Sequence, residues 1–135
     1  MEIIELDGLL YALILRSKDQ LSGNSFFISN IDSPLQVGVL SHPSGYVEKP
    51  HYHKVRQRLI QGIPQMLYLK EGSFNIDFFD KSNVQFKSVE ILKGDIIVLM
   101  DGAHRLRVNR NMQAVIAKLG PYMGAEEDKV EINEK

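Results

Sequence analysis

Short apolar runs broken by turn chemistry, with no sustained 3.6-residue stripe, point this chain towards an all-β fold. The runs that read as strands are Glu2–Leu6, Tyr11–Arg16, Phe26–Ile28, Gln36–Leu40, Tyr46–His53, Gln65–Lys70, Ser73–Phe79, Val84–Leu92, Asp95–Met100, His104–Asn109 and Gln113–Leu119. Between them stand Asp7-Gly8, Ser22-Gly23-Asn24, Ser33-Pro34, Pro43-Ser44-Gly45, Glu71-Gly72, Lys81-Ser82-Asn83, Lys93-Gly94 and Asp101-Gly102. Each supplies a residue that tolerates a positive φ or pre-sets a reversal. Many short strands at this spacing form a sandwich or a barrel. Phe74, Ile76 and Phe78 alternate with Asn75 and Asp77, which places the first three in the core.

A length of 135 residues suits one domain with a buried core. The net charge of -1 offers no clustered basic face, so nucleic acid is not an expected partner. Cysteine is absent, which removes disulfides, thiolate ligands and a cysteine nucleophile. The opening Met1-Glu2-Ile3-Ile4-Glu5 is acidic where a signal peptide would be basic, and no apolar run approaches the roughly 20 residues that span a bilayer. A cytoplasmic location without membrane contact is therefore expected. Lys54 to Pro64 is polar and reads in part as a loop. The charge-rich tail from Gly120 is expected either to pack over the barrel or to fray.

The chain holds four histidines, and His51, His53 and His104 carry the chemical interest. On a strand, residues i and i+2 project to one face, so His51 and His53 offer two imidazoles side by side. Neutral imidazole nitrogens are ordinary ligands for transition metals. Strand parity puts Gln65 with Leu67 and Leu69, and His104 with Leu106 and Val108. Arg105 and Arg107 then fall on the opposite face. Polar groups at one end and aliphatics along the rest describe a pocket with a wet mouth and a dry floor, a common small-ligand site. Tyr52 and Tyr68 face away from it and read as packing residues.

The run Gly45-Tyr46-Val47-Glu48-Lys49-Pro50-His51-Tyr52-His53 resembles the first half of the first cupin motif: a glycine, five residues, then His-x-His. Gln65, six residues and Gly72 stand in the frame of that motif's glutamate and glycine, and Gly94, Gly102 and His104 echo the second motif. The resemblance covers roughly residues 36 to 119, and more narrowly is to small bacterial cupins, some associated with surface-sugar metabolism. It implies a single-domain double-stranded β-helix, or jelly-roll barrel, with N-terminal strands over 2–28 and a tail over 120–135. It also implies one divalent metal held by His51, His53 and His104, with Gln65 in the glutamate's place either as a weak fourth ligand or as a hydrogen-bond partner of a histidine or water.

Several features depart from the pattern. Eleven residues separate His53 from Gln65, Met100 replaces the usual proline, and His104 lies one residue nearer Gly102 than is general. A neutral amide leaves the bound ion with one more net positive charge than a carboxylate would, favouring ferrous over ferric iron and weakening retention. Zinc, nickel, ferrous iron and copper all suit such a set. Two readings of function follow, beside a third in which the barrel is structural and metal-free. One is a metal-dependent enzyme acting on a small polar metabolite such as a sugar derivative. The other is a non-catalytic binding or sensing module. Arg56 and Arg58 either grip an anionic group of that ligand at the pocket mouth or are solvated loop charges. The N-terminal strands would suit pairing across a homodimer.

Overall fold

The structure is a computed structural model that describes residues 1–21, 26–27, 29, 33–62 and 64–135. It divides into two compact units, Met1–Asp19 with Gly62–Lys135, and Gln20–Gln61. Ile28, the last residue of one expected strand, lies outside the described residues, as does the Ser22-Gly23-Asn24 turn.

The first unit is a single antiparallel sheet of β1 (Glu2–Leu6), β2 (Leu9–Leu15), β5 (Gln65–Phe79), β6 (Gln85–Leu92), β7 (Ile96–Leu99) and β8 (Ala103–Lys118). Asp7 and Gly8 both adopt positive φ, 51° and 76°, and Leu6 pairs with Leu9. Two residues in that conformation match the twist of the strands they join, which is why an Asp-Gly pair makes this hairpin. β2 continues onto β7, and β7 onto the first half of β5. The Asp95 carboxylate, buried between β2 and β7, accepts from the Ser17 and Leu92 backbone N–H groups and from Arg16. Arg16 in turn reaches Glu2 and the Glu90 carbonyl.

The sequence suggested a reversal at Glu71-Gly72, giving two strands either side. Instead β5 runs unbroken for 15 residues, and β8 for 16 residues beside it. Gly72 takes a φ of 83°, and the β5–β8 register slips on both sides of it. A positive-φ glycine can close a hairpin or seat a bulge, and here it does the latter. The bend is large. On a straight strand Gln65 and Phe78 would stand about 43 Å apart. Yet Gln65 touches His104, which is the cross-strand partner of Phe78. The β5–β8 ribbon therefore curls back on itself, and the sheet becomes a half-barrel.

Parity within the curl is as the alternation predicts. Leu67, Leu69, Phe74, Ile76 and Phe78 are buried on the concave side with Tyr11, Ile14, Val89, Ile91 and Ile97. Burying a side chain of this size contributes about 1.5–3 kcal/mol, so this cluster carries most of the unit's stability. The tail supplies a one-turn helix, α1 (Ala125–Asp128), whose Asp128 pairs with Lys118. Of the two expected fates for the tail, packing prevails at these contacts.

The second unit contains a two-stranded antiparallel pair, β3 (Phe26–Phe27) and β4 (Gly38–Val39). The expected strand Tyr46–His53 is not one: no ladder forms, and all of its side chains are exposed. Pro50 has no N–H to donate and biases the residue before it, so this stretch is a poor sheet member unless an edge partner is supplied. Tyr52, expected to pack, is accordingly 100% exposed.

Candidate metal centre

Gln65 opens β5 and His104 lies at the start of β8, both on the concave side at the same rim of the half-barrel. The Gln65 side-chain nitrogen lies 3.4 Å from His104 Nε2. The other ring nitrogen, Nδ1, lies 3.3 Å from the Gly102 carbonyl. A carbonyl can only accept, so Nδ1 carries the proton and Nε2 presents its lone pair to the Gln65 amide. The ring is open to solvent on one side but crowded by protein. That partial burial, opposed by the Gly102 bond and assisted by Lys129, holds its pKa below the ordinary imidazole value. A neutral ring is the form that ligates metals.

Gly102 places this histidine. With φ at 76°, its backbone lies so close to Tyr11 that an added Cβ would stand 2.2 Å from the ring. The Asp101-Gly102 turn is thereby packed against β2, and Met100 N–H donates to the Tyr11 carbonyl just before it. The expected glycine–histidine spacing has a structural reason beside any chemical one.

In the second unit, His51 and His53 have ring centroids 5.1 Å apart and nearly perpendicular, at 74°. His51 Nδ1 sits 2.9 Å from the Lys49 carbonyl, so its Nε2 is likewise the nitrogen that carries the lone pair. Glu48 is 3.6 Å from the same Nδ1. Metal-bound histidines characteristically donate their second N–H to a carbonyl or carboxylate in this manner. The nearness of the two rings does not come from strand alternation, as the sequence suggested, since no strand is present. Arg56 and Arg58 are fully on the surface of the same segment, and His42 stacks on Tyr46 with centroids 3.9 Å apart.

The structure thus brings the four expected ligands together in pairs, Gln65 with His104 in one unit and His51 with His53 in the other. Among the described residues, no three His, Asp or Glu side chains are grouped to hold a metal ion. Imidazole nitrogens suit a divalent transition ion, and in His51 and His104 the Nδ1 contact to a carbonyl leaves Nε2 as the nitrogen that carries the lone pair. The chain matches no known family model, no curated protein and no solved structure.

A second cluster went unread in the sequence. On the convex side, Asp77 is 0% exposed and accepts from Arg105, Arg107 and Ser88. Strand parity had placed both arginines opposite His104, and so the signal was present. What was missing was the pairing of β5 with β8, which brings positions 28 and 30 residues apart into register.

Proposed function

We propose that this chain is a metal-binding cupin whose half-barrel sheet is the greater part of a jelly-roll barrel. His51, His53 and His104 hold one divalent transition metal, with Gln65 as its fourth neighbour. The observation that carries the reading is the Gln65–His104 contact: two side chains 39 residues apart meet at the rim of an apolar concave face, with the His104 lone pair facing the Gln65 amide. A divalent metal in that position would polarise a substrate oxygen as a Lewis acid. The chain's own part is to hold neutral imidazoles, keep the floor dry through Leu67, Leu69 and Phe78, and admit a small polar metabolite such as a sugar derivative. Arg56 and Arg58 are the arginines in the segment that carries His51 and His53, and would meet an anionic group of that metabolite.

Gln65 favours a second reading, a binding or sensing module without turnover. As it lies, its N–H donor occupies the His104 lone pair, and only after a half-turn of the amide does its oxygen face the same point. Gln65→Glu removes that donor and adds a charge. Titration calorimetry with zinc or nickel is expected to show metal held roughly tenfold tighter or more in the variant, and lost in His104→Ala. Equal affinity in wild type, Gln65→Glu and His104→Ala would overturn the metal site. Turnover in the glutamate variant alone would mark a binding module derived from an enzyme.

β1 is a sheet edge with Ile3 half exposed, which supports pairing with a second copy as a homodimer. Sedimentation at micromolar concentration is expected to give a dimer; a monomer throughout removes this part of the proposal.

A further inference from the structure

The convex cluster is built like an anion receptor. Asp77 takes the Nε and Nη2 edges of both Arg105 and Arg107, with donor distances of 2.7–3.1 Å. Ser88 fills a further position on the carboxylate at 2.7 Å. This side-on grip fixes both guanidinium planes and leaves each Nη1 end directed away from Asp77. Arg105 is further held over the Phe79 ring, 5.2 Å from its centroid, and by the Gln85 side-chain oxygen. The two arginines remain 42% and 50% exposed.

Two guanidinium groups on one carboxylate leave a surplus charge of about +1. The chain's own tail meets it: Glu134 accepts from Arg105 Nη1 at 2.6 Å, and Lys135 N–H donates to the Asn83 carbonyl at 3.1 Å. Among the described residues, Arg107 Nη1 has no partner. One arm of a two-armed cation is therefore occupied by a carboxylate, and the other is open.

We propose that Arg105 and Arg107, aligned by Asp77, form an anion-binding site on the face opposite His104, with Glu134 of the C-terminal tail as its built-in, displaceable occupant. The ligand class is a compact phosphate or carboxylate group able to span both Nη1 ends, which fixed guanidinium forks recognise well. It is distinct from the metal proposal in residues, face and chemistry, and stands if that one falls.

Inorganic phosphate is a suitable probe, titrated into the full chain and into Glu134→Gln at low ionic strength, with the arginine Nε–H signals followed by NMR. The Arg105 and Arg107 signals are expected to move in both proteins. The affinity should rise roughly two- to fivefold in Glu134→Gln, the factor that removal of a competing exposed ion pair supplies. Phosphate affinity unchanged by Glu134→Gln overturns the tail's role as occupant. Shifts confined to other arginines, or none at all, overturn the site itself. Because Glu134 lies on the surface and outside every strand, its substitution leaves the fold in place for the reading.

Discussion

Gly72→Ala is expected to destabilise the protein by about 3 kcal/mol or more, measured by urea denaturation. Two effects add. An L-residue at a φ of 83° costs about 1–2 kcal/mol by itself. The added Cβ would also lie 2.1 Å from the Asn111 carbonyl oxygen and 2.6 Å from that of Arg110. Both obstacles are backbone, so no side chain can swing aside; β5 and β8 must part at the bend. Gly8→Ala separates the two effects. Its φ is 76°, but nothing lies within 4 Å of the new methyl. It should cost only about 1–2 kcal/mol. Similar losses at Gly8 and Gly72 would mean that β8 does not press against the bend and that the curl of the sheet rests on something else.

Asp77→Ala is the second large effect, at about 2–3 kcal/mol of lost stability. Removing one partner of a fully buried ion pair typically costs about 3–5 kcal/mol, because the other charge is left uncompensated. The discount here comes from Arg105 and Arg107, which are half exposed and can regain water. The pH dependence has a definite sign. Hydrogen bonds from Arg107, then Ser88 and Arg105, outweigh the opposing effect of burial and hold the Asp77 carboxyl well below the usual carboxylate range. A depressed folded-state pKa contributes stability that is complete above the unfolded value, near about 4, and drains away as the pH falls below it. The stability gap between wild type and Asp77→Asn should therefore narrow on acidification below about pH 4. A gap that is constant from pH 7 to pH 3 would show that the carboxylate charge contributes nothing.

What could be read from the residues was local. Asp7-Gly8 predicts its hairpin because few residue pairs adopt two positive φ values together. The alternation through Phe74, Ile76 and Phe78 predicts their burial, and the same period sets Arg105 and Arg107 opposite His104. What escaped the reading was non-local or conditional. Glu71-Gly72 has the chemistry of a turn, and only the neighbouring β8 turns it into a bulge. Asp77 looks like a solvent-facing polar residue until the β5–β8 register supplies two arginines to cover it. The Tyr46–His53 run has strand-like composition, but composition does not provide the pairing partner that a strand requires. Of the candidate metal site, the residue types were legible. That Gln65 hydrogen-bonds a histidine was one of the two readings open to it, but that the partner is His104 was not legible, since it depends on how tightly the ribbon curls.

The metal proposal meets its most direct test in an anomalous difference map, collected at the absorption edge of zinc or nickel from crystals grown with that metal. The expected result is one strong peak about 2.0–2.1 Å from Nε2 of His51 and of His104, with a His53 ring nitrogen at the same distance. A map with no peak there, or with a peak bound to one histidine alone, would contradict the account.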